Sequence, residues 1–148
     1  MKSIFEQTTR YELINRINSI NTNDTAHWGK MNLYQMLAHC TMWDKMIWGK
    51  IKVPRMFIGR VFGKIALKAV LKNDRAIRKN SPGSPALFIK EKDGDAAMQK
   101  IAWINSIMAY EHYNNANFIH PFFGAMTREQ IGLFVYKHAD HHLRQFGA

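Results

Sequence analysis

The segment from Thr127 to Ala148, TREQIGLFVYKHADHHLRQFGA, constrains the fold more than any other stretch because only one kind of element suits its pattern. Advanced at about 100° per residue, Ile131, Phe134, Val135, His138, His142 and Gln145 fall within roughly 40° of one line, as on a helix with one apolar face. Lys137, Asp140 and Arg144 fall on the far side, where water is expected to take them, and His141 lies about 80° off the stripe. Two histidines therefore stand in the middle of the face that must be buried. Imidazoles at i and i+4 can direct ring nitrogens to one point, an arrangement that holds transition metals. A lone core histidine is more readily explained by hydrogen bonding, but a pair at the centre of the stripe points to metal.

A chain of 148 residues is long enough to bury a core of its own and is expected to form a single domain spanning 1–148. The 47% hydrophobic content, with four Trp, nine Phe and nine Met, is that of a globular protein. Its one cysteine, Cys40, excludes an internal disulfide framework and any cysteine-rich zinc motif. Met1 to Arg10 contains no apolar leader core, and no run approaches the roughly 18 apolar residues of a membrane span, so a soluble cytoplasmic protein is expected. Of the net charge of +10, nearly all belongs to Lys50–Lys79, where ten basic residues face one acid, Asp74.

Four long helices are predicted. Ser3 with Glu6 reads as a capping box for a helix to about Ile20, with Leu13, Ile17 and Ile20 on its inner face. Asn32 with Gln35 opens a second, to about Trp48, with Met36, His39, Met42, Trp43 and Met46 inward. Asp95 caps a third, to about Tyr113, with a stripe of Met98, Ile101, Ala102, Asn105, Met108 and His112. Thr127 with Gln130 caps the last. Between the second and third lies a basic amphipathic helix or hairpin, MFIGRVFGKIALKAVLK, whose Ile58, Phe62 and Ile65 are expected to pack inward or into a second subunit, making a homodimer. The fold class is all-α: a four-helix bundle with a long crossover and a basic helical insertion between helices 2 and 3. His39 sits on an apolar stripe as His138 and His142 do, so the three together form a candidate metal site.

The segments WGKMNLYQMLAHC (Trp28–Cys40) and HPFFGAMTREQIGLFVYKHADHHLRQFG (His120–Gly147) resemble the DinB-like (YfiT-like) metalloenzyme superfamily, and within it a bacterial group of unknown function. In that superfamily a divalent metal is held by one histidine on the second helix and a His-x-x-x-His pair on the fourth. Carried over by motif, the resemblance implies His39, His138 and His142 as ligands, while His141 matches no ligand position. Members include enzymes that use a low-molecular-weight thiol as co-substrate for group transfer, and the resembled group has no activity of its own to carry over.

Three neutral imidazoles with an open position can polarise a substrate or lower the pKa of bound water. No Glu-x-x-His and no HExxH occurs, so di-iron redox chemistry and metallopeptidase chemistry are not expected. Zinc or nickel is preferred to iron or manganese, all of which accept imidazole. Gln35, Trp43, Asn105, His112, His141 and Gln145 are candidates for the surroundings of the metal or a substrate pocket. No catalytic residue can be named. The expected function is a metal-dependent transferase using a small thiol, or a hydrolase, acting on a small-molecule substrate. The alternative is a non-catalytic binding or stress-associated module that applies residues 50–79 to an anionic surface; nucleic acid is ranked low because no aromatic residues interleave the charges.

Overall fold

The computed structural model describes residues 1–148. The chain is mostly helical: α1 (Gln7–Ser19), α2 (Leu33–Ile47), α3 (Phe57–Val70), α4 (Ala96–Ala109) and α5 (Arg128–Gln145), with 3₁₀ turns at Pro85–Leu87 and Tyr110–His112. A two-rung antiparallel ladder, β1 (Ile119–His120) with β2 (Gly124–Ala125), precedes α5. No helix is long and apolar enough to cross a membrane.

Two of the three expected capping boxes form. The Asn32 side chain accepts from the Gln35 N–H while Gln35 accepts from the Asn32 N–H, and Thr127 with Gln130 repeats the exchange. Asp95 caps α4 through the Met98 N–H. At the first helix the expectation fails: α1 begins at Gln7 without a side-chain cap, because Ser3 Oγ instead accepts from the nearby Phe5 N–H. α1 and α2 each pack against both α4 and α5, and the shared core holds Leu13, Ile17, Met36, Leu37, Ile107 and Leu143.

Three predicted faces are corrected. α4 turns Trp103, Ile107 and Tyr110 inward and leaves Met98, Ile101, Asn105 and Met108 exposed, almost opposite to the expected stripe. The i, i+4, i+7 set of Trp103, Ile107 and Tyr110 buries more area per residue than the methionine stripe, and it lets the Tyr110 hydroxyl donate to Asp44 at 2.7 Å. On α5, Lys137 and Asp140 are buried, not in water. Lys137 Nζ donates to the carbonyls of Asn73 and Arg75, both at 2.7 Å, and Asp140 lies between Arg16 at 2.9 Å and Arg144 at 2.8 Å.

The third correction concerns α3. Ile58, Phe62 and Ile65 do not pack inward; they are 61%, 56% and 70% exposed. The buried face carries Gly59, Gly63 and Leu67 instead. A Cβ on Gly59 would sit 2.7 Å from Phe122 Cα, and one on Gly63 would meet the Phe122 carbonyl and lie 3.0 Å from Phe123 Cα. The helix thus approaches the backbone of the β1–β2 connection more closely than any side chain allows, and its apolar residues are turned outward as a result.

Glycine inside a helix ordinarily costs about 1 kcal/mol relative to alanine. At Gly63 the added methyl would displace backbone, an overpacking cost of roughly 1–3 kcal/mol. Gly63→Ala is therefore expected to lower stability in urea unfolding, by up to about 2 kcal/mol net, where propensity alone would raise it.

Asp44 generates a second expectation. One carboxyl oxygen accepts from Tyr110 and the other is buried without a partner. Burial pushes the carboxyl up to about 7 from 3.8, against the opposing Tyr110 hydrogen bond. The folded protein then keeps a proton that the unfolded chain releases, so this contribution is full at acid pH and is lost as pH rises from about 4 to about 7. Asp44→Asn is expected to flatten the decline in the urea midpoint over that window.

Candidate metal centre

His39 lies on α2, and His138 and His142 lie one turn apart on α5. α2 and α5 are packed neighbours, and they bring the three rings together with centroid separations of 5.4, 4.9 and 4.7 Å. One nitrogen from each ring lies within 4.8 Å of the others, so the group could hold a metal ion. Metal–nitrogen distances of about 2.0–2.1 Å need nitrogens roughly 3.0–3.4 Å apart, which side-chain rotation on fixed helices can supply.

Hydrogen bonding sets which nitrogens are free. The Leu87 carbonyl can only accept, so His39 Nδ1, at 2.9 Å, carries the proton and donates. The Gln145 amide nitrogen donates to the Trp28 carbonyl at 2.7 Å, which turns its oxygen toward His142 Nδ1 at 3.1 Å and makes that nitrogen the donor as well. In both rings Nε2 keeps its lone pair for a ligand. His138 is fixed differently: its ring stacks on Trp43 with centroids 4.0 Å apart and planes within 13°.

The electrostatics suit a cation. Burial lowers the pKa of His39, with the Leu87 carbonyl partly offsetting it. His138 and His142 fall well below the ordinary 6.5, first through burial and then through the neighbouring imidazoles. Three uncharged donors result, and no acid belongs to the group. His39 and His142 are buried, and His138 is half-buried.

The other predicted residues divide. Trp43 and Gln145 touch the histidines directly. Gln35 lies one turn before His39 and donates to the Ile89 carbonyl at 3.0 Å, so it holds the segment that supplies Leu87. His141 is not one of the converging group, but its ring stands edge-on to His142 with centroids 5.1 Å apart, its Nδ1 is 3.3 Å from the Ile77 carbonyl, and its ring is also edge-on to Trp28. Asn105 on α4 and His112 in the 3₁₀ turn that follows it are exposed, because Trp103 and Tyr110 are the residues presented inward there; neither is one of the converging group. Cys40 is buried, with Sγ 3.8 Å from Met36 Sδ, and burial pushes its thiol well up.

His120 is a residue that sequence reasoning assigned no role. It is buried against Trp43, Phe123 and Phe134, and Nδ1 accepts the N–H groups of Phe122 at 3.1 Å and Phe123 at 3.2 Å. The proton therefore sits on Nε2, and burial, aided by Arg55, lowers the pKa to about 3. The available signal was an imidazole inside the apolar His120-Pro-Phe-Phe-Gly124 turn, which only backbone donors could satisfy.

Ala replacement of His39, His138 or His142 is expected to abolish stoichiometric metal in protein purified without an affinity tag, as read by elemental analysis. His141→Ala should retain it, and Gln145→Leu should weaken affinity about 10–100-fold by freeing the His142 ring. Because the folded imidazoles hold protons less tightly than 6.5 implies, metal should persist below that pH and be lost on further acidification.

The family described as "Protein of unknown function (DUF1569)" matches residues 5–148. No curated protein and no solved structure matches the chain.

Proposed function

We propose that this chain, which belongs to the DUF1569 family of proteins of unknown function, is a divalent-metal-dependent enzyme of DinB-like type acting on a small molecule in the cytoplasm. In this reading α1, α2, α4 and α5 form a four-helix bundle, and α3 with its flanking basic segment is the insertion in the long crossover. One observation carries the proposal: three neutral imidazoles from two helices converge without an acid, and two of them have Nδ1 committed to protein acceptors. That donor set fits zinc or nickel, with iron or manganese also accepting it.

A divalent cation there supplies Lewis-acid chemistry, polarising a substrate oxygen or drawing the pKa of a thiol into the neutral range. The chain does the rest. Leu87 and Gln145 orient two rings, and Trp43 fixes the third. His120, kept uncharged with its proton on Nε2, offers a donor on the Trp43 side. A site with no general base among its ligands favours a co-substrate that ionises on binding, so transfer to a low-molecular-weight thiol ranks above hydrolysis.

Cobalt-substituted protein titrated with glutathione or bacillithiol is expected to show altered visible bands and new sulfur-to-cobalt absorption. Unchanged spectra with every thiol would reassign the site to hydrolysis, and failure to take up cobalt at all would overturn the metal reading.

A further inference from the structure

α3 presents an apolar surface that the rest of the chain does not cover. Phe57, Ile58, Val61, Phe62 and Ile65 are all exposed, and at about 100° per residue they fill a continuous arc of roughly 140°. The arc cannot simply roll inward, because the opposite face carries Gly59 and Gly63 in contact with backbone at Phe122 and Phe123. Arg60, Lys64 and Lys68 run along one edge of the arc, and Lys64 also reaches back to the Ala125 carbonyl. The surrounding Lys50–Lys79 carries ten basic residues against one acid.

We propose that α3 docks the protein flat on an anionic phospholipid bilayer, its apolar arc entering the headgroup boundary and its basic edge lying among the phosphates. The features are those of an in-plane amphipathic helix: a polar edge rich in Lys and Arg, a bulky apolar face, and no length to span. Charge decides between occupants. A second copy meeting this face would bring a second strongly basic segment against the first, and like charges across an interface oppose association. An anionic membrane reverses that sign and attracts juxtaposed Lys and Arg. A nucleic acid would use the charges but not Ile58, Val61 and Ile65, which offer a base neither a stacking plane nor a hydrogen bond. The proposal does not depend on the metal reading.

The test is co-sedimentation of the full-length protein with phosphatidylglycerol-rich vesicles and with phosphatidylcholine vesicles, each at low and high salt. Binding is expected to the anionic vesicles only and to weaken with salt. Phe62→Ser with Ile65→Ser should reduce it at least about tenfold, as should Arg60→Ser with Lys68→Ser. Met98→Ser with Ile101→Ser, altering exposed apolar residues of α4 that no basic edge flanks, should leave it unchanged, and far-UV circular dichroism should show all variants folded. Absence of binding to anionic vesicles, or binding indifferent to the Phe62 and Ile65 substitutions, would overturn the proposal. So would a dimer in sedimentation velocity that those two substitutions convert to monomer, which would make a second copy the occupant.

Discussion

Three imidazoles packed together, two of them buried, each carry an N–H that an apolar interior leaves unsatisfied unless protein accepts it. Two of these hydrogens are accounted for by the Leu87 carbonyl and the Gln145 amide, and much of the irregular structure follows from that requirement. Leu87 must lie along α2, and it is held there by a row on one helix face: Asn32 donates to Lys92, Gln35 to Ile89 and His39 to Leu87. Gln145 must keep its oxygen toward His142, and the Trp28 carbonyl takes the amide nitrogen to ensure it. Gly29, at φ 84°, gives the loop its turn beside that amide, where a Cβ would strike the Gln145 side chain. The connection carrying Leu87 thus accepts from His39 directly, and the loop carrying Trp28 acts on His142 through Gln145.

The same helix that carries His138 and His142 is buried on its other side as well, which is unusual for residues as polar as Lys137 and Asp140. Neither is left unpaired. The Lys137 ammonium is clamped by two carbonyls of the segment after α3, and Asp140 is shared by Arg16 of α1 and Arg144 one turn on. Such contacts add little net stability beside an apolar replacement, but removing one partner leaves a buried charge exposed to its full desolvation cost. Their effect is positional: the 73–75 chain is stapled across the back of α5, opposite the histidines.

What could be read from sequence is what local chemistry decides. The Asn32–Gln35 and Thr127–Gln130 boxes depend on residues three apart, and the convergence of His39, His138 and His142 depends only on which faces of two strongly patterned helices are buried. Legibility ended where tertiary competition set the face. On α4 two stripes were available, and Trp103 with Tyr110 won through greater area and the hydrogen bond to Asp44, taking Asn105 and His112 to the outside. On α3 the rule that apolar residues point inward was overridden by Gly59 and Gly63, because backbone contact with Phe122 needs the absence of a side chain. Lys137 and Asp140 were misplaced because their partners, Asn73, Arg75 and Arg16, lie far away in the chain.

The position of α3 is tied to the interior through two residues. Phe122 and Phe123 present their carbonyl and Cα atoms to Gly59 and Gly63, and the same two residues donate their N–H groups to His120 Nδ1. Arg55, just before the helix, donates to the His120 carbonyl at 2.6 Å, so the α3 region also holds that residue's backbone. A helix seated through bulky side chains could slide by small rotamer changes, whereas one seated on backbone at glycine has no such compliance. The tautomer of His120 and the outward orientation of the apolar arc therefore meet at one place, the backbone of Phe122 and Phe123. Trp43, which touches both His120 and His138, stands next in that chain of contacts.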